Sequence, residues 1–368
     1  MTSAEEQVSG SRAPIPGASP NTLVLLGAGA SVDAGVPTSE ELQKQLCRDL
    51  PPLYRHLSDL IFPTENDTAD PERVFRALAF LHALETEGRP VDRRDVVESL
   101  DVARLVGSWH PDIAEFLAAE AHTVTGSTTG EVIDSLWDEL RNKLWIPPLP
   151  TRTSLHYLVD LVSAMRGQTV VTLNYDNALD CVGHFCLALG FDDGPTPRDW
   201  GAALPGQSRD NTLRIVRLHG SLAWRRDRAS GDVRPATYDE LVALSVDGYR
   251  SWNGDTPGII FGAGNKLRAD GPYLDLYAEL RRELANTKQL IIIGYSFRDE
   301  HVNEALRRWF ENAEPSSVLR INWMGDYLPT VVQDWQNKRD DIRIQMVTGT
   351  AAKCMRKLVA PIPRLAAP

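Results

Sequence analysis

The feature that most constrains this chain is a short apolar run that leads directly into a glycine-rich turn. Residues 22–26 read TLVLL, and the next five are Gly27, Ala28, Gly29, Ala30 and Ser31. A continuous apolar run of this length is typical of a strand buried on both faces of a parallel sheet. The glycines let the backbone approach a phosphate, and Ser31 adds a hydroxyl donor. The pattern predicts a phosphate-binding turn, although a tight strand-to-helix turn without a ligand has the same sequence.

Strands and helices alternate along much of the chain. Further strands are predicted at 168–173, 214–218, 289–293, 317–323 and 342–347, with a weaker candidate at 259–261. Helices are predicted at 39–50, 155–165, 177–189, 273–286 and 299–312, between the last two strands, and after them. Such alternation predicts right-handed crossovers and a parallel, doubly wound, Rossmann-like α/β sheet.

One segment departs from this alternation. Residues 51–150 show helical periodicity without a convincing strand, and prolines close the segment at 147, 148 and 150. We therefore predict a helical insertion module at 51–150 within an α/β domain formed by residues 21–50 and 151–368. Residues 1–20 are rich in Ser, Pro, Gly and Ala and predict a flexible tail.

Charge and composition exclude several classes of protein. The net charge of −11 argues against nonspecific binding to nucleic acid, which requires Lys and Arg to neutralise phosphates. Arg225, Arg226 and Arg228 fall in a predicted loop and are interpreted as a solvated surface. The four cysteines form no C-x-x-C pair, so neither a zinc ribbon nor a disulfide framework is expected.

The chain is also expected to be cytoplasmic and free of membrane spans. No apolar run approaches the ~20 residues that a transmembrane helix needs. The N-terminus is acidic where a signal peptide would be basic, and no apolar segment follows it before the first strand.

Polar clusters follow three other predicted strands at the point where each strand ends. They read TLNYDN at 172–177, LHGS at 218–221 and GYSFRD at 294–299. The carboxyl ends of parallel strands meet at one edge of a sheet, where doubly wound proteins bind their ligands. The sequence therefore predicts one site assembled from these clusters and the glycine-rich turn.

Five motifs occur in a fixed order: GAGAS at 27–31, GVP at 35–37, TLNYD at 172–176, LHGS at 218–221 and GYSFRD at 294–299. In this order they resemble the sirtuin-like NAD-binding domain family, and within it the bacterial sirtuin-like NADase branch of anti-phage defence systems. The resemblance covers residues 22 to about 310. It implies a Rossmann-like, sirtuin-type fold that takes NAD as its substrate.

The departures from sirtuin deacylases also carry information. Those enzymes have a four-cysteine zinc module and a GIPDFR stretch, whereas this chain reads GVPTSE at 35–40 and has no zinc cysteines. The helical block at 51–150 stands in place of a peptide-binding module. The resemblance therefore favours NAD hydrolysis over peptide deacylation, without a metal.

Two residues are expected from the resemblance to be catalytic. Asn174 matches an asparagine that contacts the nicotinamide ribose and orients the nucleophile, and its amide can both donate and accept hydrogen bonds. An Asx-turn or helix cap is the alternative role for Asn174. His219 matches the family's catalytic histidine, and imidazole can accept a proton near neutral pH.

The remaining expectations concern NAD binding. Asp176 is expected either to contact the nicotinamide amide or to cap a loop, and Asp33 is a weaker candidate for the pocket lining. Asp299 and Glu300 are interpreted mainly as acids that complement a helix N-terminus. The other expected NAD-binding residues are Gly27, Ala28, Gly29, Ala30, Ser31, Pro37, Thr38, Gly220, Gly294 and Ser296.

The resemblance implies an NAD hydrolase that releases nicotinamide and ADP-ribose, acting as an NAD-depleting effector of anti-phage defence. One alternative is an NAD-dependent protein deacylase or ADP-ribosyltransferase. A second is a non-catalytic subunit that binds NAD or ADP-ribose. By family analogy, the chain is expected to form a homo-oligomer and to be activated by a separately encoded partner, such as a HerA-type ATPase or a short Argonaute.

Overall fold

The structure is a computed structural model. It describes residues 18, 21–62, 64, 70–87, 128–146, 155–183, 187–188, 213–227, 229–252, 254–261 and 271–361. The predicted N-terminal tail, apart from residue 18, and the central part of the predicted helical module lie outside these residues. The proposed domain boundaries remain predictions.

Ten strands occur within the described residues. They are β1 (Thr22–Leu26), β2 (Thr169–Thr172), β3 (Leu187–Ala188), β4 (Leu213–Arg217), β5 (Gly220–Arg226), β6 (Val233–Pro235), β7 (Thr256–Ile259), β8 (Gln289–Ile293), β9 (Val318–Asn322) and β10 (Arg343–Val347). Seven strands form one parallel sheet in the order β10-β9-β8-β1-β2-β4-β3. The other three form a small antiparallel sheet, β6-β5-β7.

Eleven α-helices occur within the same residues. They are α1 (Ser39–Asp49), α2 (Pro52–Ile61), α3 (Pro71–Glu87), α4 (Thr129–Leu144), α5 (His156–Ala164), α6 (Asp180–Gly183), α7 (Tyr238–Asp247), α8 (Tyr273–Ala285), α9 (Glu300–Asn312), α10 (Thr330–Lys338) and α11 (Ala351–Val359). None of the helices in the described part of the chain combines the length and apolarity needed to cross a bilayer.

The large sheet is buried on both faces, as the continuous apolar runs predict. Successive residues of β1 alternate between two hydrophobic clusters, with Val24 in one and Leu23 and Leu25 in the other. The first cluster joins the sheet to α1, α2, α3, α4, α5 and α11. The second joins it to α8, α9 and α10. Helices on both faces confirm the doubly wound, Rossmann-like α/β architecture.

The order of the strands identifies where such a fold binds its ligand. From β1 the chain adds β2 and β4 on one side, and it then crosses to place β8 on the other side of β1. The register pairs Leu26 with Ile293, so the carboxyl ends of β1 and β8 lie side by side. In open α/β sheets, ligands bind in the crevice at this reversal. The glycine-rich turn begins at this point.

Three predictions about secondary structure need correction. Residues 177–189 were predicted to be one helix, but α6 is short and Leu187–Ala188 pairs with β4 at the sheet edge. The strand predicted at 259–261 is β7, which begins earlier at Thr256. The segment predicted to be an arginine-bearing loop is largely β5, where Arg225 and Arg226 lie in the ladder; Arg228 falls outside the described residues.

Arg225 and Arg226 make side-chain contacts within the protein and are not simply solvated surface residues. The guanidinium of Arg225 lies 2.5 Å from carboxylate oxygens of both Asp255 and Glu240. The guanidinium of Arg226 lies 5.6 Å from the ring centroid of Tyr273. These contacts stabilise the small sheet against α7 and α8.

Candidate functional site

The glycine-rich turn packs directly on the backbone that follows β8. The N–H of Gly27 donates to the carbonyl of Ile293, and the N–H of Gly29 donates to that of Gly294, both at 2.9 Å. A Cβ on Gly294 would lie 2.2 Å from the nitrogen of Ala30, so no side chain fits there. Gly294 also has a φ of 64°, in the left-handed region that favours glycine. Three glycines therefore bring the two strand ends into contact.

After Gly27, the turn does not enter an α-helix directly. Two 3-10 turns, Ala28–Ala30 and Val32–Ala34, separate it from α1, which corrects the expected strand-to-helix turn. The N–H groups of Ala30 and Ser31 are used inside the turn, where they bond to the carbonyls of Gly27 and Ala28. The N–H of Ala28 has no hydrogen-bond partner among the described residues, so it remains available to a ligand.

Asn174 lies beneath the glycine-rich turn and is 8% exposed. Its Nδ2 donates to the carbonyl of Gly27 and to the Oγ of Ser31, both at 3.0 Å. Both amide hydrogens are thereby committed to the turn. Within the described part of the chain, Oδ1 has no hydrogen-bond partner and is the atom left to accept from a ligand hydroxyl or a water.

The neighbouring residues Asp176 and Asn177, rather than Asn174, make the local contacts with the backbone. An oxygen of Asp176 accepts the backbone N–H of Ala178 at 2.9 Å. Asn177 bridges to Ile146, accepting its N–H at 2.7 Å and donating to its carbonyl at 2.9 Å. Asn174 is therefore not needed as a cap.

Asp176 is buried and continues the same polar network. Burial raises the pKa of its carboxyl group, while hydrogen bonds from the backbone of Ala178 and from the Ser31 hydroxyl, together with the charge of Arg217, oppose that shift. Ser31 thus accepts from Asn174 and lies close enough to Asp176 to act on its carboxyl group. Arg217 donates to the carbonyl of Asp176 at 3.2 Å.

His219 follows β4 at the same edge and is paired with an acid. Its Nε2 lies 2.9 Å from Oδ2 of Asp299. Since a carboxylate accepts, Nε2 carries a proton, and in the neutral imidazole the lone pair is then on Nδ1. Nδ1 has no hydrogen-bond partner among the residues described, so the basic nitrogen is not consumed by the fold.

Asp299 has two roles, of which the sequence predicted one. Its other oxygen, Oδ1, accepts the N–H of Val302 at 3.1 Å and caps α9, as expected for an acid at a helix N-terminus. The bond to His219 was missed. The available signal was that Asp299 ends the GYSFRD cluster, at the same sheet edge as His219.

Tyr175 is a further residue of the site that the sequence analysis did not single out. Its ring centroid lies 6.2 Å from that of His219. Its hydroxyl lies 2.5 Å from Oε1 of Glu72 and 2.8 Å from the carbonyl oxygen of Ile260. Burial and the neighbouring Glu72 raise the pKa of this phenol. Glu72 belongs to α3, so the predicted helical module reaches the site.

Several predicted binding residues also have structural roles. Gly220 starts β5 with a φ of 82°, and a Cβ there would lie 2.0 Å from the Gly258 carbonyl oxygen. Thr38 is exposed, and its hydroxyl caps α1 by accepting the N–H of Glu41 at 3.3 Å. Asp33 accepts the N–H of Ala352 at 2.7 Å, at the start of α11.

Pro37 and Ser296 are the other two residues that were predicted to bind NAD. Pro37 is partly buried just before α1, and Ser296 is exposed in the loop after β8.

A narrow cleft reaches the pair formed by His219 and Asp299 from the side of α8 and α9. It is lined by Leu218, His219, Tyr273, Tyr277, Asp299, His301 and Val302. The polar groups of the site therefore line the edge formed by β8, β1, β2 and β4.

The double role of Asp299 gives a test by stability. Asp299→Ser keeps a good N-cap, whereas Asp299→Ala removes it, and both lose the bond to His219. We expect the serine variant to be more stable by about 1 kcal/mol, the usual value of an N-cap. Urea unfolding checks this difference. Equal stabilities would mean that Asp299 does not act as a cap.

Comparison with known proteins finds a family match over part of the chain. Residues 168–324 match the SIR2-like domain family. The matched region contains Asn174, Asp176, His219 and Asp299, and it begins after β1 and the glycine-rich turn. No curated protein matches the sequence.

Comparison with solved structures finds similarity at low sequence identity and low TM-score. A structure described as the structural basis of sirtuin substrate affinity has 13% identity and a TM-score of 0.44, over 92% of each chain. A Sir2 homologue–NAD complex has 13% identity and a TM-score of 0.39, over 92% of this chain and 88% of that one. A Sir2–p53 peptide–NAD⁺ complex has 12% identity and a TM-score of 0.40, over 91% and 90%. Similarity at this level carries no functional argument.

Proposed function

We propose that this chain binds NAD at the carboxyl edge of β8, β1, β2 and β4 and hydrolyses its nicotinamide–ribose bond. The observation that carries the proposal is the His219–Asp299 pair, at 2.9 Å, on the same edge as the buried Asn174–Ser31 network. Within the described residues, neither Nδ1 of His219 nor Oδ1 of Asn174 has a hydrogen-bond partner, so each can contact a ligand. Both lie at the ligand-binding edge of a doubly wound sheet.

Binding would begin at the strand reversal, where the glycine-rich turn meets Gly294. The glycines allow the turn to pack against the backbone of Gly294, and the N–H of Ala28 can donate to a pyrophosphate oxygen. Ser31 and Asn174 fix the geometry of the turn from below. The family match over residues 168–324 supports NAD as the dinucleotide.

In the reaction, the bond between C1′ of the ribose and the nicotinamide nitrogen breaks. Its electron pair goes to the pyridinium ring, which becomes neutral nicotinamide. A water oxygen then forms the new bond to C1′, giving ADP-ribose. Asn174 Oδ1 orients that water or a ribose hydroxyl, and Nδ1 of His219 takes the released proton. Asp299 holds the imidazole in the tautomer that leaves Nδ1 basic.

The direct test is nicotinamide release from NAD by the purified full chain, followed by chromatography. We expect release without any acetylated peptide, and a loss of about 10²-fold or more in Asn174→Ala, which removes the orienting oxygen. Asn177→Ala is the matched control, because its amide is bound to Ile146 rather than to the glycine-rich turn. Strict dependence on an acyl-peptide would instead indicate a deacylase or transferase. Binding without turnover would indicate a non-catalytic subunit.

We further propose that the chain is a cytoplasmic, NAD-depleting effector that acts as a homo-oligomer under the control of a separately encoded partner. Support comes from the motif resemblance, and from the harm that unrestrained NAD hydrolysis would do to a host cell. Cellular NAD measured after expression of the chain alone checks the need for an activator. Full depletion by the isolated chain would contradict that need.

A further inference from the structure

Phe297 has an unfavourable backbone conformation in the loop between β8 and α9. Its φ is 59°, in the left-handed region. Within the described part of the chain, the other non-glycine residue with a positive φ is Asn21, whose short polar side chain suits that region far better than a phenyl ring. Such strain persists only where the surrounding contacts hold it, and it concentrates at functional sites. The contacts that hold Phe297 are therefore of interest.

Two side chains, Tyr295 and Asn303, form a clamp on this loop. Nδ2 of Asn303, near the start of α9, donates to the carbonyl of Phe297 at 2.7 Å. Oδ1 of Asn303 accepts from the Tyr295 hydroxyl at 2.9 Å. The Tyr295 hydroxyl in turn accepts the backbone N–H of Asp299 at 3.2 Å, and it lies 3.1 Å from the carbonyl oxygen of the same residue. The clamp thus connects the loop to the first turn of α9 on both sides of Phe297.

The surroundings of the clamp favour these hydrogen bonds. Tyr295 is buried, and burial raises the pKa of its phenol, so the hydroxyl keeps its proton and can donate to Asn303. The Tyr295 ring packs on that of Phe297, with centroids 4.8 Å apart. The Phe297 ring also contacts Trp323 and Trp335, at 6.4 Å and 6.1 Å between centroids. Both the backbone and the side chain of Phe297 are therefore held in place.

The clamped loop joins the two halves of the proposed site. At its start, the carbonyl of Gly294 accepts the N–H of Gly29 in the glycine-rich turn, at 2.9 Å. At its end, Oδ2 of Asp299 lies 2.9 Å from Nε2 of His219. The contact at Gly294 is made by the backbone alone, whereas the N–H of Asp299 is bonded to the clamp itself. Loss of the clamp should therefore displace Asp299 more than Gly294.

We propose that Tyr295 and Asn303 are positioning residues, which hold the strained loop in the path that places Asp299 against His219. The inference rests on the proposed function for its kinetic consequence, but not for its structural one. The two residues act through Asp299, which orients the imidazole. Without the clamp, Phe297 can leave the left-handed region, the loop takes a different path, and the contact between Asp299 and His219 is weakened.

The first test compares Tyr295→Phe and Asn303→Ala in the full chain. Tyr295→Phe retains the packed ring but removes the hydroxyl that binds the N–H of Asp299. Both variants are expected to lower kcat for nicotinamide release roughly 10-fold or more, with KM changed less than about threefold, because orientation rather than NAD binding is lost. Asn312→Ala, at the other end of α9, is the matched control; the amide of Asn312 donates to the carbonyl of Arg308 at 2.7 Å. Equal losses in the two alanine variants would refute the positioning role.

A second comparison tests the connection to the strained residue. Glycine adopts a left-handed φ at no steric cost, so Phe297→Gly leaves the Asn303 amide with less strain to oppose. Asn303→Ala is expected to lower kcat less than about threefold in the Phe297→Gly background, against roughly 10-fold in the wild type. The lost aromatic packing is common to both members of this comparison and cancels. Equal losses in both backgrounds would show that Asn303 does not act through the strain at Phe297.

A third measurement does not need activity. The imidazole ¹⁵N shifts of His219, assigned by their absence in His219→Ala, report its tautomer and surroundings. They are expected to move in Tyr295→Phe and Asn303→Ala and to stay unchanged in Asn312→Ala. If no protein releases nicotinamide but the shifts follow this pattern, the proposed function fails and the positioning role stands. If the shifts keep their wild-type values in both Tyr295→Phe and Asn303→Ala, the positioning role is refuted whatever the rates.

Discussion

His219→Gln is expected to lower nicotinamide release by about 10²–10⁴-fold, the usual loss when a general acid–base group is removed. Glutamine retains a polar side chain beside Asp299, so the change removes the basic nitrogen with little disturbance of packing. Steady-state rates with saturating NAD measure the effect. The main loss should fall on kcat, since the proposed role of the histidine is to take the proton of the attacking water.

The matched control is His301→Ala. His301 lines the same cleft, but its backbone carbonyl, rather than its imidazole, accepts a hydrogen bond from the Tyr277 hydroxyl at 2.6 Å, and this bond survives the substitution. We expect its rate to stay within about threefold of the wild type. Comparable losses in both variants would refute the assignment of His219 as the base, and so would an unchanged rate in His219→Gln.

Gly294→Ala is expected to cost about 2–5 kcal/mol of stability, the largest structural effect that we predict. The added methyl would lie 2.2 Å from the nitrogen of Ala30 and 2.3 Å from the carbonyl carbon of Gly29. Both atoms are backbone, so relief requires β1 and β8 to separate at their carboxyl ends. Overpacking of this kind costs about 1–3 kcal/mol, and a left-handed φ adds roughly 1–2 kcal/mol for alanine.

Gly35→Ala separates these two contributions. Gly35 has a φ of 90°, but no atom lies within 4 Å of a Cβ placed there. The Gly35→Ala variant should therefore lose only the stability that the left-handed φ costs an alanine, about 1–2 kcal/mol. Urea unfolding of both variants checks the difference. Equal losses would show that the strand ends accommodate a methyl group, and the turn would then not require glycine for packing.

The sequence predicted the large sheet well because its signal is local. Residues 22–26 and 289–293 are β1 and β8 as predicted, since a continuous apolar run between polar residues is distinctive for a doubly buried strand. The small sheet was missed for the opposite reason. β5 carries Arg225 and Arg226, and the acids that neutralise Arg225 lie 15 and 30 residues away, so the segment resembles a solvated loop.

The sequence identified individual residues of the candidate site but not the contacts between them. Asn174 and His219 were identified from motifs, and both lie at the predicted edge of the sheet. Their partners depend on tertiary structure: Asp299 lies 80 residues from His219, and Glu72 lies 103 residues from Tyr175. The helix predicted over 177–189 fails similarly, because parallel pairing of β3 with β4 overrides local periodicity.

The position of β1 between β2 and β8 also affects how the protein can be made. Thr22 and Gln289 lie side by side across a separation of 267 residues. During synthesis at roughly 5–20 residues per second, β1 waits on the order of 15–50 s for β8 to emerge. Until then the strand reversal, the Gly294 contact and Asp299 do not exist. Incomplete nascent chains are therefore expected to lack the proposed activity until the final quarter of the chain has been synthesised.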